Sequence, residues 1–379
     1  MGTKKLYYED SLLTRFSTLV LKCRQCENGY KVVLASTCFY PEGGGQPSDV
    51  GRLGGVNITD VQEEGDEIVH ETDGPLEPGT IVFGQVYWER RFLLMQHHTA
   101  EHILSGLINS KYGYDNVGFH MNTECVTMDI SGELDDHGLT AVEQTANRVV
   151  HQNIPVETKV YPPGALKIPE HRSKRQLEGD VRIVAIPGYD TCACCGLHCV
   201  TTGQIGAVKI TEAKRYKGGM RLVMLAGKNA LADYDAKNRS VYEISALLSV
   251  KTGEVTMGVK RLMSENADLK QQLSVYRKEI FENRAKQVPM GTPIICLFES
   301  DLPSDELRRF CMILCERAEV AAVFSGNKYA VGSKTCDMLE FAKDLNKELN
   351  GRGGGGKQLI QGTVSASRGE IERFFNIDI

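Results

Sequence analysis

No run of about eighteen or more apolar residues occurs in this sequence, which argues against a membrane-spanning helix. The first residues lack the apolar core of a secretory signal, and Leu6 stands where a myristoylation motif needs Ser or Thr. Twelve cysteines without a secretion signal favour reduced thiols over a disulfide framework. We therefore expect a cytoplasmic protein that does not contact membranes.

The sequence also has no overall excess of positive charge. Its net charge is −5, so composition gives no general indication of a nucleic-acid partner. Between residues 167 and 228, however, eleven Lys or Arg residues stand against five Asp or Glu, a local surplus of six. Such a basic stretch suits a phosphate-bearing substrate, although a solvated surface with scattered lysines explains it equally well.

A chain of 379 residues is too long for one hydrophobic core, and we expect about two to four domains. Residues 1–90 read as closely spaced strands, separated by Gly, Pro and Asp; they are predicted at 16–23, 30–38, 56–62, 67–72 and 80–88. This spacing is typical of a small antiparallel barrel or sandwich, and we predict a β-barrel.

Helical signals follow the barrel segment. Apolar spacing predicts helices over 91–110 and about 138–152, followed by mixed strands to about residue 227, which gives an α/β domain over 91–230. Residues 289–379 again combine strand and helix patterns and are predicted to form a C-terminal α/β domain. The overall class predicted is therefore α+β.

The segment between these domains, residues 231–288, gives the clearest structural signal. A heptad seam with alternating steps of four and three runs through Val255, Val259, Leu262, Asn266, Leu269, Leu273, Tyr276 and Ile280. Asn266 is its single polar member, a device that fixes register and partner. A helix of roughly thirty residues would span about 45 Å. We favour a helical hairpin with a preceding helix at about 230–248, and pairing with a second copy stays open.

Two pairs of side chains that commonly bind metal ions carry the strongest functional signal. His98 and His102 stand four residues apart on a predicted helix, so they share one face about 6 Å apart. Cys194 and His198 repeat that spacing in a Gly- and Cys-rich turn. Three imidazoles and a thiolate match the ligand set that zinc prefers. We predict one zinc ion per chain, in a cleft between distant segments.

The helical pair also satisfies H-x-x-E-H, the signature of inverted zinc peptidases, with Glu101 as the acid. Such enzymes take a carboxylate as third ligand and leave one position open. This interpretation leaves Cys194 and His198 without a purpose, so a metallopeptidase is kept only as an alternative. His97 lies on a different helix face and is not predicted to be a ligand.

A glycine-rich string lies between two predicted strands. In residues 37–49, TCFYPEGGGQPSD, three glycines let the backbone bend and let a ligand approach closely. A flexible hairpin connection is the plainer alternative.

A second glycine-rich string, residues 351–357, almost matches the P-loop pattern. Gln358 stands where a P-loop needs the hydroxyl of Ser or Thr, and a predicted helix, not a strand, precedes the run. We therefore reject nucleotide hydrolysis, while contact of the backbone with an RNA phosphate stays open.

These motifs together carry a resemblance. TCFYPEGGGQPSD, HTAEH (98–102), CCGLH (194–198) and TGQIG (202–206) occur in this order and resemble the editing half of alanyl-tRNA synthetases. With no aminoacylation domain ahead of them, the chain most resembles the free-standing alanyl-tRNA editing proteins of the AlaX family. The tail is similar to the long form, because 351–357 and 361–362 resemble the glycine-rich motif of the DHH-associated domain.

The resemblance also guides the choice of ligands. Related synthetases read C-G-G-T-H where this chain reads CCGLH, and aligning on the following Thr202 assigns Cys194 and His198. Cys192 and Cys195 are near enough to be alternatives. The Cys23 and Cys26 pair has no partner pair, and we interpret it as structural.

The function that the resemblance implies is hydrolysis of the ester joining a wrong amino acid, serine first and glycine second, to the tRNA for alanine. On this basis we expect Thr37 to bind the serine hydroxyl, although an ordinary strand threonine is the alternative. Gln46, with the backbone of Gly44 and Gly45, would orient the substrate, and His120 would position it or transfer a proton. Zinc could be structural or catalytic.

The tRNA backbone near the acceptor end is expected to contact Lys214, Arg215, Lys217 and Arg221. The helical segment and the C-terminal domain would reach farther along the tRNA or build a homodimer. A protein that only binds tRNA, with structural zinc, is the second alternative.

Overall fold

The structure is a computed structural model that describes residues 2–163, 165, 168–173 and 180–376. Its mixed helices and sheets confirm the α+β class. The chain divides into two units, Met1–Tyr242 and Glu243–Ile379. The finer division at residues 90, 230 and 288 stays a prediction. Within the described ranges, no helix has both the length and the apolar character needed to cross a bilayer.

Eight strands open the first unit: β1 (Lys4–Lys5), β2 (Arg15–Cys26), β3 (Gly29–Leu34), β4 (Ser36–Thr37), β5 (Gly51–Leu53), β6 (Val56–Glu64), β7 (Glu67–Thr72) and β8 (Ile81–Val86). Six of them close into a barrel in the order β2-β3-β7-β6-β5-β8, while β1 and β4 pair in parallel. Along β2, Phe16, Thr18 and Val20 point inward because successive side chains of a strand face opposite sides.

Two polar side chains inside the barrel form a hydrogen bond with each other. Thr37 Oγ1 lies 2.8 Å from His70 Nε2, and His70 Nδ1 lies 3.2 Å from the Val32 carbonyl oxygen. Because Nδ1 donates to that carbonyl, Nε2 is the acceptor and Thr37 donates its hydroxyl proton. Burial lowers the pKa of His70 to about 4, so the imidazole is neutral near pH 7.

The rest of the first unit surrounds a long buried helix. Its elements are α1 (Trp88–Tyr112), β9 (Asn116–Met121), β10 (Val126–Ile130), α2 (Asp136–Gln152), β11 (Glu157–Tyr161), β12 (Val181–Ile186), β13 (Asp190–Ala193), β14 (Val208–Tyr216), β15 (Gly219–Ala226) and the start of α3 (Lys228–Leu248). The sheets run β14-β15-β10-β9 and β11-β12-β13. Trp88, placed at a strand end by the sequence, begins α1 instead.

Helix α1 is buried on nearly all sides, which explains why its sequence is not clearly amphipathic. Leu94, Ile103, Leu104 and Ile108 pack in one core with α2 and the four-stranded sheet. The helix ends where Gly113 adopts a left-handed conformation, which favours glycine. A helix fixed in this way gives its polar side chains little freedom to move.

The second unit has a five-stranded sheet with helices on both faces. Its elements are α4 (Val255–Lys286), β16 (Thr292–Glu299), α5 (Ser304–Leu314), β17 (Ala318–Ser325), β18 (Lys328–Ser333), α6 (Met338–Glu348), β19 (Arg352–Gly355), β20 (Leu359–Thr363) and α7 (Arg368–Phe374). The order is β16-β17-β18-β20-β19. The glycine run therefore forms an edge strand, not a phosphate loop that leads into a helix.

The heptad seam lies along α4, but its side chains are exposed. The exposed fractions range from 39% to 63% for Val259, Leu262, Leu269, Leu273, Tyr276 and Ile280. The hairpin of α4 with the preceding helix stays a prediction.

The neutral His70 makes the stability of the protein depend on pH. In the unfolded chain His70 becomes protonated below its usual pKa of about 6.5, whereas in the folded barrel it becomes protonated only near pH 4. The free energy of unfolding therefore falls as the pH falls from about 6.5 to about 4. Between pH 7 and pH 5 we expect a loss of about 2 kcal/mol from this group. Urea unfolding at both pH values should show a smaller loss for His70→Gln than for the wild type. An equal loss in both proteins would contradict this assignment.

Candidate metal centre

Four side chains from two distant parts of the chain converge in the first unit. They are His98, His102, Cys194 and His198, whose ligand atoms all lie within 4.8 Å of one another. His98 Nε2 lies 3.4 Å from Cys194 Sγ. The ring of His198 lies 4.4 Å from that of His98 and 4.5 Å from that of His102, measured between centroids. All three histidines are buried.

The two ligand pairs come from different kinds of backbone. His98 and His102 are one turn apart on α1, and Cys194 and His198 lie in the irregular segment after β13. Arg182 Nη1 holds this segment by donating to the carbonyl oxygens of Cys194 and Gly196, both at 2.8 Å. These bonds take the place of regular secondary structure.

A close approach to His98 requires glycine at position 196. A Cβ atom placed there would lie 2.1 Å from the imidazole Cε1 atom of His98. The Tyr8 hydroxyl further fixes the segment by donating to the Cys195 carbonyl oxygen at 2.9 Å. Contacts with His98 and Tyr8 therefore fix the turn without the help of a metal ion.

Two of the three imidazoles have their Nδ1 atoms committed to side-chain oxygens. His98 Nδ1 lies 3.0 Å from Gln46 Oε1, which also accepts the Leu197 N–H at 2.9 Å. His102 Nδ1 lies 2.9 Å from Asp190 Oδ2. Since both oxygens are acceptors, each Nδ1 donates its proton and each Nε2 is directed to the cluster.

The third imidazole follows the same rule. His198 Nδ1 lies 3.5 Å from Thr99 Oγ1, whose own proton goes to the Met95 carbonyl oxygen at 2.7 Å. Nδ1 of His198 is therefore the donor, and its Nε2 atom is buried without a hydrogen-bond partner among the described residues. A buried lone pair of this kind costs free energy unless a donor or an ion meets it.

The cluster favours a thiolate. Burial alone would raise the pKa of the Cys194 thiol, but His98, His102 and His198 together lower it well below its usual range. Burial and the charges of His98 and His102 lower the pKa of His198 to about 3. Burial also disfavours protonated His102, yet Asp190 and Cys194 hold its pKa well above the usual value. A metal ion would displace that proton.

The arrangement meets the requirements for a metal site. It offers one thiolate and three imidazole nitrogens at mutual distances suited to one ion, and each histidine has an outer partner that fixes its tautomer. Glu101, the acid of the H-x-x-E-H pattern, accepts through Oε1 from Ser105 at 2.6 Å and Asn116 at 2.5 Å. Its Oε2 atom lies 3.9 Å from His102 Nε2.

The glycine string contacts this cluster through a tight turn. Gly43 and Gln46 exchange both backbone hydrogen bonds at 3.0 Å, and Gly44 and Gly45 both have positive φ, as in a type I′ turn. A Cβ atom at Gly45 would lie 2.4 Å from the Phe119 ring, which stacks on His98. The turn therefore positions Gln46 next to His98, one of the candidate metal ligands.

A buried ion pair joins the glycine string to helix α1. Arg91 Nε lies 2.9 Å from both carboxylate oxygens of Asp49, and its Nη2 donates to the Cys38 carbonyl oxygen at 2.6 Å. Asp49 also accepts the Tyr40 N–H at 2.6 Å. Both side chains are almost completely buried. The pair fixes the string relative to the turn of helix that leads to His98.

Two predicted catalytic residues do not contact the cluster. Thr37 is buried in the barrel, where its hydroxyl donates to His70 and accepts the Phe39 N–H at 3.0 Å. His120 is exposed on β9 beside Phe119. Because neighbouring strand residues face opposite sides, His120 points away from the cluster that Phe119 contacts, so its assignment to proton transfer lacks geometric support.

Most of the predicted tRNA-binding cations already have partners. Lys214 lies 2.5 Å from Glu212, Arg215 lies 2.9 Å from Glu133, and Arg221 lies 2.6 Å from Asp129. The Lys217 ammonium lies 5.1 Å from the centroid of the Tyr216 ring. Lys167, Lys174 and Arg175 of the basic stretch lie outside the described residues. The local charge surplus is thus partly neutralised.

Sequence reasoning missed the partners that position the ligands. Asp190 accepts from His102 and is held by Arg172 at 2.7 and 2.9 Å, and Thr99 positions His198. Thr99 lies within the HTAEH motif, so the sequence already placed it next to the ligand His98. Asp190 belongs to no motif, and the sequence pattern did not single it out.

Cys195 and Cys192 are not members of the four-residue group. A Cβ atom at Gly44 would lie 2.9 Å from Cys195 Sγ, so this thiol packs on the glycine turn. Cys192 is buried and forms, with His102 and Asp190, a second group of side chains that could hold a metal ion. All twelve cysteines are free in the structure.

Two protein families match separate parts of this chain. The family described as "Threonyl and Alanyl tRNA synthetase second additional domain" matches residues 181–223, which include Cys194 and His198. The family described as "tRNA synthetases class II (A)" matches residues 3–90. The two matches together cover the barrel and the segment that supplies the second ligand pair.

Similar curated proteins are alanine–tRNA ligases. That of Pyrococcus furiosus is 31% identical over 390 residues, covering 96% of this chain and 42% of the ligase. Those of Pyrobaculum neutrophilum and Natronomonas pharaonis are each 31% identical, covering 98% and 86% of this chain but 43% and 38% of the ligases. The chain spans about two fifths of the length of these relatives.

Among solved structures, the C-Ala domain of the Aquifex aeolicus alanyl-tRNA synthetase matches 23% of this chain and 93% of its own length. The identity is 24% and the TM-score is 0.20, which is too low to support an argument about the fold.

Removing the carboxylate behind His102 should weaken metal binding without removing a ligand. Asp190→Asn leaves His102 Nδ1 with a neutral acceptor, and we expect a loss of about 10- to 100-fold in zinc affinity. Competition with a chromophoric chelator measures this loss. Asp129→Asn is the matched control, because Asp129 also pairs bidentately with an arginine but lies away from the cluster. Equal affinities for both variants would show that Asp190 does not support the ligand.

Proposed function

We propose that this chain, an AlaX-like relative of the alanine–tRNA ligases, hydrolyses the ester that joins a wrong amino acid to the tRNA for alanine. Serine is the proposed main substrate and glycine the second. The observation that carries the proposal is the convergence of His98, His102, Cys194 and His198 beside the glycine turn. The similarity to ligases over nearly all of this chain supports the substrate class.

The ion that best fits the four donors is zinc, since it takes imidazole and thiolate ligands in tetrahedral sites. The buried Nε2 atom of His198, which meets no hydrogen-bond partner within the part of the chain that the structure describes, supports this assignment. Bound zinc would supply a positive charge that organises the cleft and polarises the ester carbonyl. The chain's own residues then hold the substrate in place.

Gln46 is proposed to couple substrate binding to the metal centre. Its Oε1 atom orients His98, while its buried Nε2 atom has no hydrogen-bond partner in the described ranges. An unsatisfied buried donor costs about 1–3 kcal/mol, which a substrate oxygen could recover. The backbone of Gly44 and Gly45 can approach the terminal ribose closely because no side chain intervenes.

Selection of serine is proposed to rest on the remaining lone pair of Thr37. The Thr37 hydroxyl gives its proton to His70 and accepts one N–H from Phe39. It can therefore only accept a further bond, and a serine hydroxyl can donate one. Alanine lacks that donor, so the same pocket would bind it less well.

The tRNA is proposed to reach the cleft across the hairpin of β14 and β15. Lys214 and Arg215 are mostly exposed and their ion pairs are solvent-screened, so phosphates can replace the carboxylates at little cost. Arg221 is bound bidentately to Asp129, which makes it a support for the hairpin.

The central test removes two ligands at once. His98→Ala with His102→Ala should abolish zinc binding and the deacylation of seryl-tRNA by catalytic amounts of protein. Elemental analysis measures zinc, and deacylation is followed for seryl-, glycyl- and alanyl-tRNA with and without chelator. His97→Ala is the control: His97 is a buried neighbour on α1 whose Nδ1 bonds to the Asn122 carbonyl oxygen, and its loss should spare zinc.

The outcomes separate the alternatives. Full activity without zinc would exclude the metal centre from the reaction. Stable binding of tRNA without turnover would favour a carrier with structural zinc. Cleavage of peptides with no action on acyl-tRNA would favour a metallopeptidase.

A second test addresses selectivity. Thr37→Val should reduce seryl-tRNA deacylation by about 5- to 100-fold, the equivalent of one lost hydrogen bond, while glycyl-tRNA deacylation and zinc content stay unchanged. Thr18→Val is the control, because Thr18 is also buried in the barrel and also accepts a backbone N–H. If both substrates lose activity equally, Thr37 supports the fold and does not select serine.

A further inference from the structure

Three successive carbonyl groups in the turn that carries Cys194 are held by two side chains. Arg182 Nη1 donates to the Cys194 and Gly196 oxygens, both at 2.8 Å, and the Tyr8 hydroxyl donates to the Cys195 oxygen at 2.9 Å. The guanidinium carbon of Arg182 lies 4.9 Å from the centroid of the Tyr8 ring, so the cation also packs on the aromatic face. The two side chains therefore act on the turn as one clamp.

The bond from Tyr8 bears on the thiolate. The Cys195 carbonyl and the Gly196 N–H belong to one planar trans peptide unit, in which these two groups point in opposite directions. The Gly196 N–H lies 3.3 Å from Cys194 Sγ, measured from nitrogen to sulfur, and donates to it. By fixing the carbonyl end of this peptide unit, Tyr8 directs its N–H end at the sulfur ligand.

The bond from Arg182 bears on an imidazole in the same way. The Gly196 carbonyl, which Arg182 holds, shares a peptide unit with the Leu197 N–H. That N–H donates to Gln46 Oε1 at 2.9 Å, and the same oxygen accepts from His98 Nδ1 at 3.0 Å. Fixing the carbonyl end of this second peptide unit therefore fixes the acceptor that orients His98.

Given the metal centre proposed above, we propose that Tyr8 and Arg182 are positioning residues that set its affinity and the electron density on its sulfur. Neither side chain belongs to the group of four ligands. Tyr8 acts on Cys194 through the first peptide unit, and Arg182 acts on His98 through the second. The two outer side chains thus reach two different ligands without touching the ion.

Removing the guanidinium separates positioning from charge. Arg182→Met keeps an unbranched stem but loses both hydrogen bonds. A nearby positive charge repels a metal ion, so charge alone predicts tighter zinc binding by this variant. We expect instead a loss of about 10- to 100-fold in zinc affinity, measured by chelator competition, because the acceptor of His98 is no longer held.

Arg221→Met is the matched control for that change. Arg221 also makes two hydrogen bonds, in its case to Asp129, and its guanidinium carbon also lies over a tyrosine ring, 3.8 Å from the centroid. Its bonds go to β10 and not to the turn. Its removal should therefore leave zinc affinity within about 2-fold of the wild type, well below the loss expected from an outer partner of a ligand.

The Tyr8 hydroxyl is tested through the sulfur itself. With Co²⁺ bound in place of zinc, the sulfur-to-cobalt charge-transfer absorption reports the electron density on the Cys194 thiolate. Tyr8→Phe keeps the ring beside Arg182 but frees the Cys195 carbonyl, which weakens the N–H···S bond. Because hydrogen bonds draw density from a metal-bound sulfur, the absorption should move to lower energy. Zinc affinity should fall about 3- to 10-fold, the equivalent of one hydrogen bond.

Tyr7→Phe is the control for the hydroxyl. Tyr7 is buried next to Tyr8, with ring centroids 4.6 Å apart, and its hydroxyl has no hydrogen-bond partner in the part of the chain that the structure describes. This variant should leave the cobalt absorption and the zinc affinity unchanged. Circular dichroism and urea unfolding of the metal-free proteins check that every variant keeps its fold.

Any of three results would overturn the assignment of the clamp. Arg182→Met could bind zinc as tightly as the wild type or more tightly, Tyr8→Phe could leave the cobalt absorption in place, or each variant could change no more than its control. Both readouts are metal binding, so they do not depend on the hydrolysis of seryl-tRNA. A wild type that binds neither zinc nor cobalt would refute the metal centre together with its clamp.

Discussion

The buried pair of Arg91 and Asp49 is the contact on which the metal centre depends. It connects the first turn of α1 to the string that ends in the glycine turn, and each partner also bonds to backbone groups of that string. Neither charge has access to water, so losing one partner would leave the other uncompensated. Because α1 carries both histidines and the string carries Gln46, this single pair sets the geometry of the first ligands.

From that anchor the centre is completed by one outer partner for each imidazole. Gln46 comes from the glycine turn, Asp190 from the start of β13 and Thr99 from α1 itself. Three different segments must therefore be in place before the three Nε2 atoms converge. The ligands are positioned by the fold, and the ion would find them largely arranged.

Sequence patterns predicted much of this because some of the physics is local. The i,i+4 spacing of His98 and His102 determines that they share a helix face, and the closely spaced segments separated by Gly, Pro and Asp before residue 90 predict strands. The heptad steps of α4 are likewise local. These features need no knowledge of what lies across from them.

Other features depend on contacts between remote residues and could not be predicted. The direction of His120 depends on the strand register that turns Phe119 toward His98, and the Thr37 proton is committed only because His70 lies opposite. The carboxylates that neutralise Lys214, Arg215 and Arg221 come partly from other strands. Whether the α4 seam is covered likewise depends on tertiary packing, which the heptad pattern does not determine.

The type I′ turn at Gly44 and Gly45 constrains how this region can vary among homologues. Two successive left-handed residues, one facing an aromatic ring and one facing a thiol, admit almost nothing but glycine whatever the protein binds. A replacement at either position would first disturb the backbone and displace Gln46, and only then alter chemistry. Sequence drift in these glycines is therefore a poor guide to a change of specificity.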